Sequence, residues 1–224
     1  MIKYQLKIKL LTDTTFGRGD GVAGLIDQEV EHDYSGFPYL RGRTLKGLLS
    51  EECDNLIMVL PSNIRSYWEN IACILFGSSG SNLDNIGIMH VGNACLPEDL
   101  REVVTWQIQN QELTSIDILN SLTTVRRQTA IDSVTGVADE GSLRSFRVVI
   151  RKLEFNADLL FKTQPSDEVL SLLSIGTLAL RRIGSGRNRG RGNVKCTLHE
   201  YDNYEEDIAC RNINIFGQIP ETVK

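Results

Sequence analysis

Hydrophobic and polar residues alternate from the start of the chain, with Ile2, Tyr4, Leu6, Ile8 and Leu10 on one parity and Lys3, Gln5, Lys7 and Lys9 on the other. That period of two predicts a strand with one buried face. From Thr44 the spacing becomes helical: Leu45, Leu48, Leu49, Cys53 and Leu56 share a stripe, and Thr44 is placed to cap it. Between strand and helix runs a long polar connection from Thr12 to Arg43. A connection of that length inside a compact domain is usually functional or disordered.

Ile64, Trp68, Ile71, Ala72 and Leu75 mark a second amphipathic helix ending at Gly77, followed by a Gly/Ser/Asn loop and a strand from Ile86 to Leu96. A further helix is expected from Glu98 to Asn110, with Trp68 and Trp106 both read as core residues on apolar stripes. Periodicity is lost from Thr123 to Leu143, which reads as a protruding loop or hairpin. Phe146, Val148 and Ile150 alternate, then Leu153, Phe155, Ala157, Leu159 and Phe161 do so. They predict two strands paired across Arg151 and Lys152. Ser166 caps a helix carrying Val169, Leu170, Leu172, Leu173 and Leu180, and Val194, Cys196 and Leu198 predict a closing strand. The order is that of an α+β, ferredoxin-like (RRM-like) βαββαβ core, enlarged by insertions. One domain over residues 1–224 is expected, with insertions at about 12–43 and 63–141.

Composition changes this picture little. The chain of 224 residues is 41% hydrophobic and 24% charged, which suits a soluble globular protein with a sizeable core. It shows no membrane span and no signal-peptide core, so a cytoplasmic location is expected and no membrane partner. The five cysteines are scattered without a C-x-x-C pair, so reduced thiols and no protein metal site are expected.

Charge matters more. A net charge of -5 argues against a protein that coats nucleic acid through general basicity, so any such binding must be local. Between Arg181 and Lys195 the bases stand without an acid, whereas Glu200, Asp202, Glu205, Glu206 and Asp207 crowd the next stretch.

Two segments carry chemistry. IGSGRNRGRGN interleaves Gly184, Gly186, Gly190 and Gly192 with Arg187, Arg189 and Arg191. Glycines let a backbone approach a phosphate and guanidiniums hold its oxygens in pairs, although a solvated linker has the same composition. No G-x-x-x-x-G-K-[ST] pattern is present, which argues against a nucleotide P-loop. GFPYLRGRTLKGLL places Arg41, Arg43, Thr44 and Lys46 at a helix start, where exposed amides attract anions, and Gly42 reads as an irregular turn. A capped helix start with solvated charges is the plain alternative.

Four ordered segments then resemble the RAMP superfamily of CRISPR proteins, particularly the backbone subunits of type III effectors. They are GLIDQEVEHDYSGFPYLRGRTLKGLL, LFGSSGSNLDNIGIMHVGNA, VRRQTAIDSVTGVADEGSLRSFRVVIRKLEF and IGSGRNRGRGNVKC, and they sample most of the chain. The resemblance implies a projecting thumb in the third segment, which interrupts the guide–target duplex. Arg126 and Arg127 are then guide-phosphate ligands and Val134 or Val137 the wedge. It also implies that Asp27 cleaves target RNA paired with the guide, as a metal-dependent endoribonuclease helped by magnesium or manganese. Asp20 and Asp33 are rival carboxylates and His32 a tempting base; a turn-capping role for Asp27 stays open.

The RNA-binding set is therefore Arg41, Arg43, Thr44, Lys46, Arg126, Arg127, Gly186, Arg187, Arg189 and Arg191. Expected partners are the CRISPR guide RNA, target RNA, other RAMP subunits and the large signature subunit of a type III complex, with the acidic stretch after Glu200 facing a neighbour. Three readings stand: an antiviral guide-binding subunit that cleaves target RNA, a catalytically silent RAMP subunit that caps or scaffolds the guide, and a ferredoxin-like interaction module with no RNA role.

Overall fold

A computed structural model describes residues 1–78, 86–201, 206–211 and 213–218. The predicted Gly/Ser/Asn loop before Ile86 falls largely outside them, as do Asp202 and Glu205 of the acidic stretch.

The first strand, β1 (Ile2–Leu10), forms where the alternation predicts it, with Leu6, Ile8 and Leu10 fully buried. It lies in the middle of a four-stranded antiparallel sheet of order β2-β5-β1-β6, where β2 is Met89–Val91, β5 is Glu154–Phe161 and β6 is Val194–Glu200. Leu6 sits opposite Ala157 on one side and Leu198 on the other. With these as its four core strands, the order and direction are those of the ferredoxin-like fold. On the buried face pack α1 (Gly42–Met58) and α5 (Asp167–Ala179), and α2 (Ser62–Phe76) packs against both helices. The opposite face carries ion pairs such as Lys3–Asp158 at 3.0 Å and Lys9–Glu154 at 2.9 Å. Each fully buried Leu or Ile contributes about 1.5–3 kcal/mol, so the apolar parity of β1 and β5 holds the layers together.

Ser166 caps α5 as expected, its Oγ accepting from Val169 N at 3.4 Å. Trp68 is fully buried, donates from Nε1 to Gln218 O at 3.2 Å, and packs against Phe216 at 4.8 Å between ring centroids.

Several expectations are corrected. The strand expected over Ile86–Leu96 is only three residues long, yet it supplies the second core strand. The residues around Phe146 form β4 (Arg144–Val149), which does not pair with β5. It pairs with β3 (Thr123–Gln128) in a separate two-stranded sheet. The chain breaks between β4 and β5 because Lys152 adopts a left-handed φ of 74° and the Asp13 carboxylate accepts from Arg151 N at 3.0 Å. Trp106 is 59% exposed, because α3 (Glu98–Gln109) buries none of its residues. A short helix, α4 (Ser115–Leu122), precedes β3 and went unpredicted.

The far edge of the main sheet is occupied from within. Leu198 N donates to Asp207 Oδ1 at 3.1 Å and Val194 N to Arg181 O at 2.9 Å. Asp207 also caps the 3-10 turn Ile208–Cys210 by accepting from Ala209 N at 3.0 Å. Asp207 thus bonds within its own chain.

Cysteine reactivity follows burial. Cys53 and Cys196 are buried, and burial pushes the Cys196 thiol up to about 12 and raises that of Cys53 further. Because the thiolate is the nucleophile, both should resist iodoacetamide in the native protein, whereas exposed Cys73 and Cys210 should be labelled, as peptide mass spectrometry would read. Labelling of Cys196 at the rate of Cys73 would contradict this packing.

Candidate functional site

The glycine–arginine segment is not a loose linker. Gly192 N donates to Asp13 O at 3.0 Å, Ser185 N to Thr15 O at 2.9 Å, and Thr14 Oγ1 to Ile183 O at 3.0 Å. The segment is therefore clipped to the chain leaving β1. Within it Arg187–Arg189 make one 3-10 turn, flanked by Gly186 and Gly190 at φ values of 78° and 75°. Both are left-handed conformations that favour glycine, and they point successive arginines outward.

Opposite stands the face of the β3–β4 hairpin. Residues of like parity share a face, so Arg126 and Gln128 stand with their partners Phe146 and Arg144. Arg191 lies over the Phe146 ring at 5.3 Å. Between loop and hairpin opens a groove of about 870 Å³ lined by Arg182, Arg187, Arg189 and Arg191, with Gln28 and Glu51 also on its wall. Gln28 Nε2 donates to Ser185 Oγ at 2.9 Å and ties the long connection to the loop. Burial holds the Arg191 guanidinium below its usual value, and the charges of Arg126 and Arg189 add to this while Asp13 opposes it. Positive charge is thus crowded where an anion would relieve it.

An adjoining hollow of about 290 Å³ runs from Ser185 and Arg187 to Arg41 and Thr44. The structure brings the helix start and the arginine loop together at this hollow, with roles that differ from those expected of a capped helix start. Thr44 lies inside α1 instead of capping it. The residue before the helix is Arg41, whose side chain makes no cap, and Gly42 N donates to Asn93 Oδ1 at 2.8 Å. Gly42 is needed for close approach, not a turn: a Cβ there would meet the carbonyls of Val91 and Gly92. Lys46 is turned away, donating from Nζ to Met89 O at 3.0 Å. Arg43 is exposed and has no ion pair among the described residues. Arg127 projects from the opposite face of the hairpin to Arg126.

Three basic residues arrive with internal counter-charges. Arg41 pairs with buried Glu31 at 2.7 Å, and Tyr39 OH donates to the same carboxylate at 2.8 Å. Arg126 pairs with Asp13 at 2.8 Å and Arg187 with Glu51 at 3.3 Å. Exposed Arg189 has no such partner among the described residues. Glu29 and Glu31 are buried, only 4% and 7% exposed. Glu29 pairs with Arg147 at 2.8 Å. Sequence reasoning missed both pairings, and also missed Gln28 and Phe146 as groove residues.

Asp27 lies outside the groove. Its Oδ2 accepts from Ser145 N at 2.6 Å and Oδ1 stands 3.7 Å from Arg144 Nη1, beside a separate hollow formed by residues 21–27 with Leu143 and Ser145. The rival groups are engaged elsewhere: Asp20 pairs with Arg18 at 2.6 Å, Asp33 with Arg101 at 3.1 Å, and His32 Nδ1 lies 3.0 Å from Asp33 O. Among the described residues no three His, Cys, Asp or Glu side chains group so as to hold a metal ion. Val134 and Val137 stand exposed at the hairpin tip, where Asp132 Oδ1 accepts from Val134 N and Thr135 N. Among the described residues no helix is long and apolar enough to cross a membrane.

A family model described as RAMPs, RAMP superfamily, matches residues 7–195. Among solved structures, a chain in the cryo-EM structure of the type III-B Cmr-beta bound to cognate target RNA superposes with a TM-score of 0.64 at 15% identity. It covers 88% of this chain and 97% of that one. A chain of the apo state of type III-B Cmr-beta gives a TM-score of 0.62 at 14% identity, over the same shares. At such identities the likeness carries the fold. No curated protein matches the sequence.

Proposed function

The chain belongs to the RAMP superfamily, and from that membership we propose that it is a guide-RNA-binding backbone subunit of a type III CRISPR effector, with the arginine groove as its seat for the RNA backbone. The observation that carries this reading is the groove itself, in which Arg182, Arg187, Arg189 and Arg191 face the hairpin across a gap with a wall of Gln28. Guanidiniums hold phosphate oxygens in pairs, and the clipped glycine loop presents them without the entropy cost of ordering a flexible segment. The backbone is held and the bases stay free to pair, so sequence is read by the guide. Structural neighbours drawn from type III-B Cmr-beta, one of them bound to target RNA, support this assignment.

Cleavage of target RNA by Asp27 is the further part of this reading. Its carboxylate is accessible beside the hairpin base, where it would orient an attacking 2′-hydroxyl or accept its proton. A second reading, a silent scaffold subunit, is favoured by the bond from Ser145 N, which gives the carboxylate a structural task.

The test compares wild type, Asp27→Asn and an Arg187/Arg189/Arg191→Ala variant in the assembled complex, with magnesium or manganese present. The triple variant should lose guide affinity, and its log–log salt slope should fall by about 2, at roughly 0.7 per single-strand phosphate contact. Asp27→Asn, which keeps an acceptor for Ser145 N, should retain guide and lose cleavage. No cleavage by wild type selects the silent subunit; an unchanged salt slope in the triple variant refutes the groove.

A further inference from the structure

On the other side of Arg191 from the groove lies a smaller cavity of about 210 Å³, lined by Thr12, Asp13, Arg126, Arg151, Gly190 and Arg191. Arg191 lines both spaces and forms the wall between them. Three arginines and one aspartate thus meet at the small cavity. Asp13 Oδ2 accepts from Arg126 Nη2 at 2.8 Å, while Oδ1 is used by the backbone N of Arg151 and not by its side chain. The Arg151 guanidinium has no ion pair among the described residues. The charge around the cavity is therefore out of balance by two positive units, and the Arg191 value, depressed by burial and by Arg126, registers the same excess.

The volume is several times the roughly 30 Å³ that one water occupies in the liquid. Gly190, at φ 75° with nothing within 4 Å of where a Cβ would stand, leaves the entrance open.

We propose that this cavity is a second phosphate site, which takes a backbone phosphodiester of the same RNA whose neighbouring segment occupies the groove. Arg151 and Arg191 supply its free donors. Asp13 is the internal anion that holds Arg126 and the Arg151 backbone in place while RNA is absent, and Arg126 transfers its second donor pair to the phosphate when RNA arrives. The proposal rests on the groove binding RNA, and assigns Arg151 and Asp13 roles that the groove alone does not require.

The experiment measures binding of a single-stranded RNA of guide length to the full chain across a salt series, for wild type, Arg151→Gln, Asp13→Asn and the Arg187/Arg189/Arg191→Ala variant, with thermal melting as the fold control. Arg151→Gln leaves the backbone bond to Asp13 intact, so its melting temperature should not change, and its salt slope should fall by about 0.7. Asp13→Asn removes the competing charge but keeps one acceptor oxygen for the Arg151 backbone N, and should bind RNA more tightly at every salt concentration. An unchanged slope in Arg151→Gln, with binding lost in the triple variant, overturns the second site while the groove stands. Unchanged slopes in both overturn the groove and the second site together. An Asp13→Asn variant that binds no tighter than wild type overturns the role given to Asp13.

Discussion

Replacing Arg147 by methionine is expected to destabilise the protein by about 3–5 kcal/mol, the usual loss when one member of a buried ion pair is removed and the other is left charged. Glu29, 4% exposed, has Arg147 as its counter-ion at 2.8 Å, and its carboxylate also accepts from Val30 N at 2.9 Å. Arg147 also donates from Nη1 to Thr123 Oγ1 at 3.2 Å and Asn120 Oδ1 at 3.3 Å, so it joins the long connection, β3 and α4 at one point. For a chain of this size each kcal/mol shifts the melting temperature by about 2–4 °C, so calorimetry should show a drop of about 6–20 °C. Adding Glu29→Gln to Arg147→Met should recover much of the loss, since the unpaired charge disappears. A single variant that melts with wild type would mean that Glu29 is not buried as described.

The second large effect is expected at Gly192. Its φ of 70° costs an L-residue about 1–2 kcal/mol. A Cβ there would also collide with the Ile183 carbonyl oxygen, which is backbone and cannot rotate away. Gly192→Ala should therefore lose about 3 kcal/mol or more, a magnitude seen when strain and overpacking combine. It should weaken RNA binding as well, because the Ile183–Gly192 and Gly192–Asp13 bonds hold Arg191 in place. Gly190→Ala is the control: φ is similar at 75° but a Cβ meets nothing within 4 Å, so only the roughly 1–2 kcal/mol of the left-handed backbone should be lost. Equal urea midpoints for the two variants would remove the collision from the account.

What could be read in the sequence was whatever depends on neighbours along the chain. The parity of β1, the stripes of α1 and α5 and the Ser166 cap are local, and each stands where its pattern put it. β3 was legible only as part of a protruding loop or hairpin, because both its faces are largely solvated and no period of two exists to mark the strand. β4 misled because Phe146 and Val148 alternate like a core strand. Val149 is buried as well as Val148, and it accepts from Thr14 N at 3.1 Å, a partner from the far end of the sequence. At the site, the arginine loop and helix start were legible as composition. The neutralising carboxylates of Glu29, Glu31 and Asp13 were not, because their partners converge only after folding.

The bonds along β6 also bear on how copies of such a chain can meet. An edge strand with free amides is a template onto which another strand zips, a route to uncontrolled chain growth. Here the Asp207 carboxylate and the Arg181 carbonyl already take the Leu198 and Val194 amides, so an incoming strand would first have to strip away the protein's own cover. Contact along this edge is thereby left to side chains.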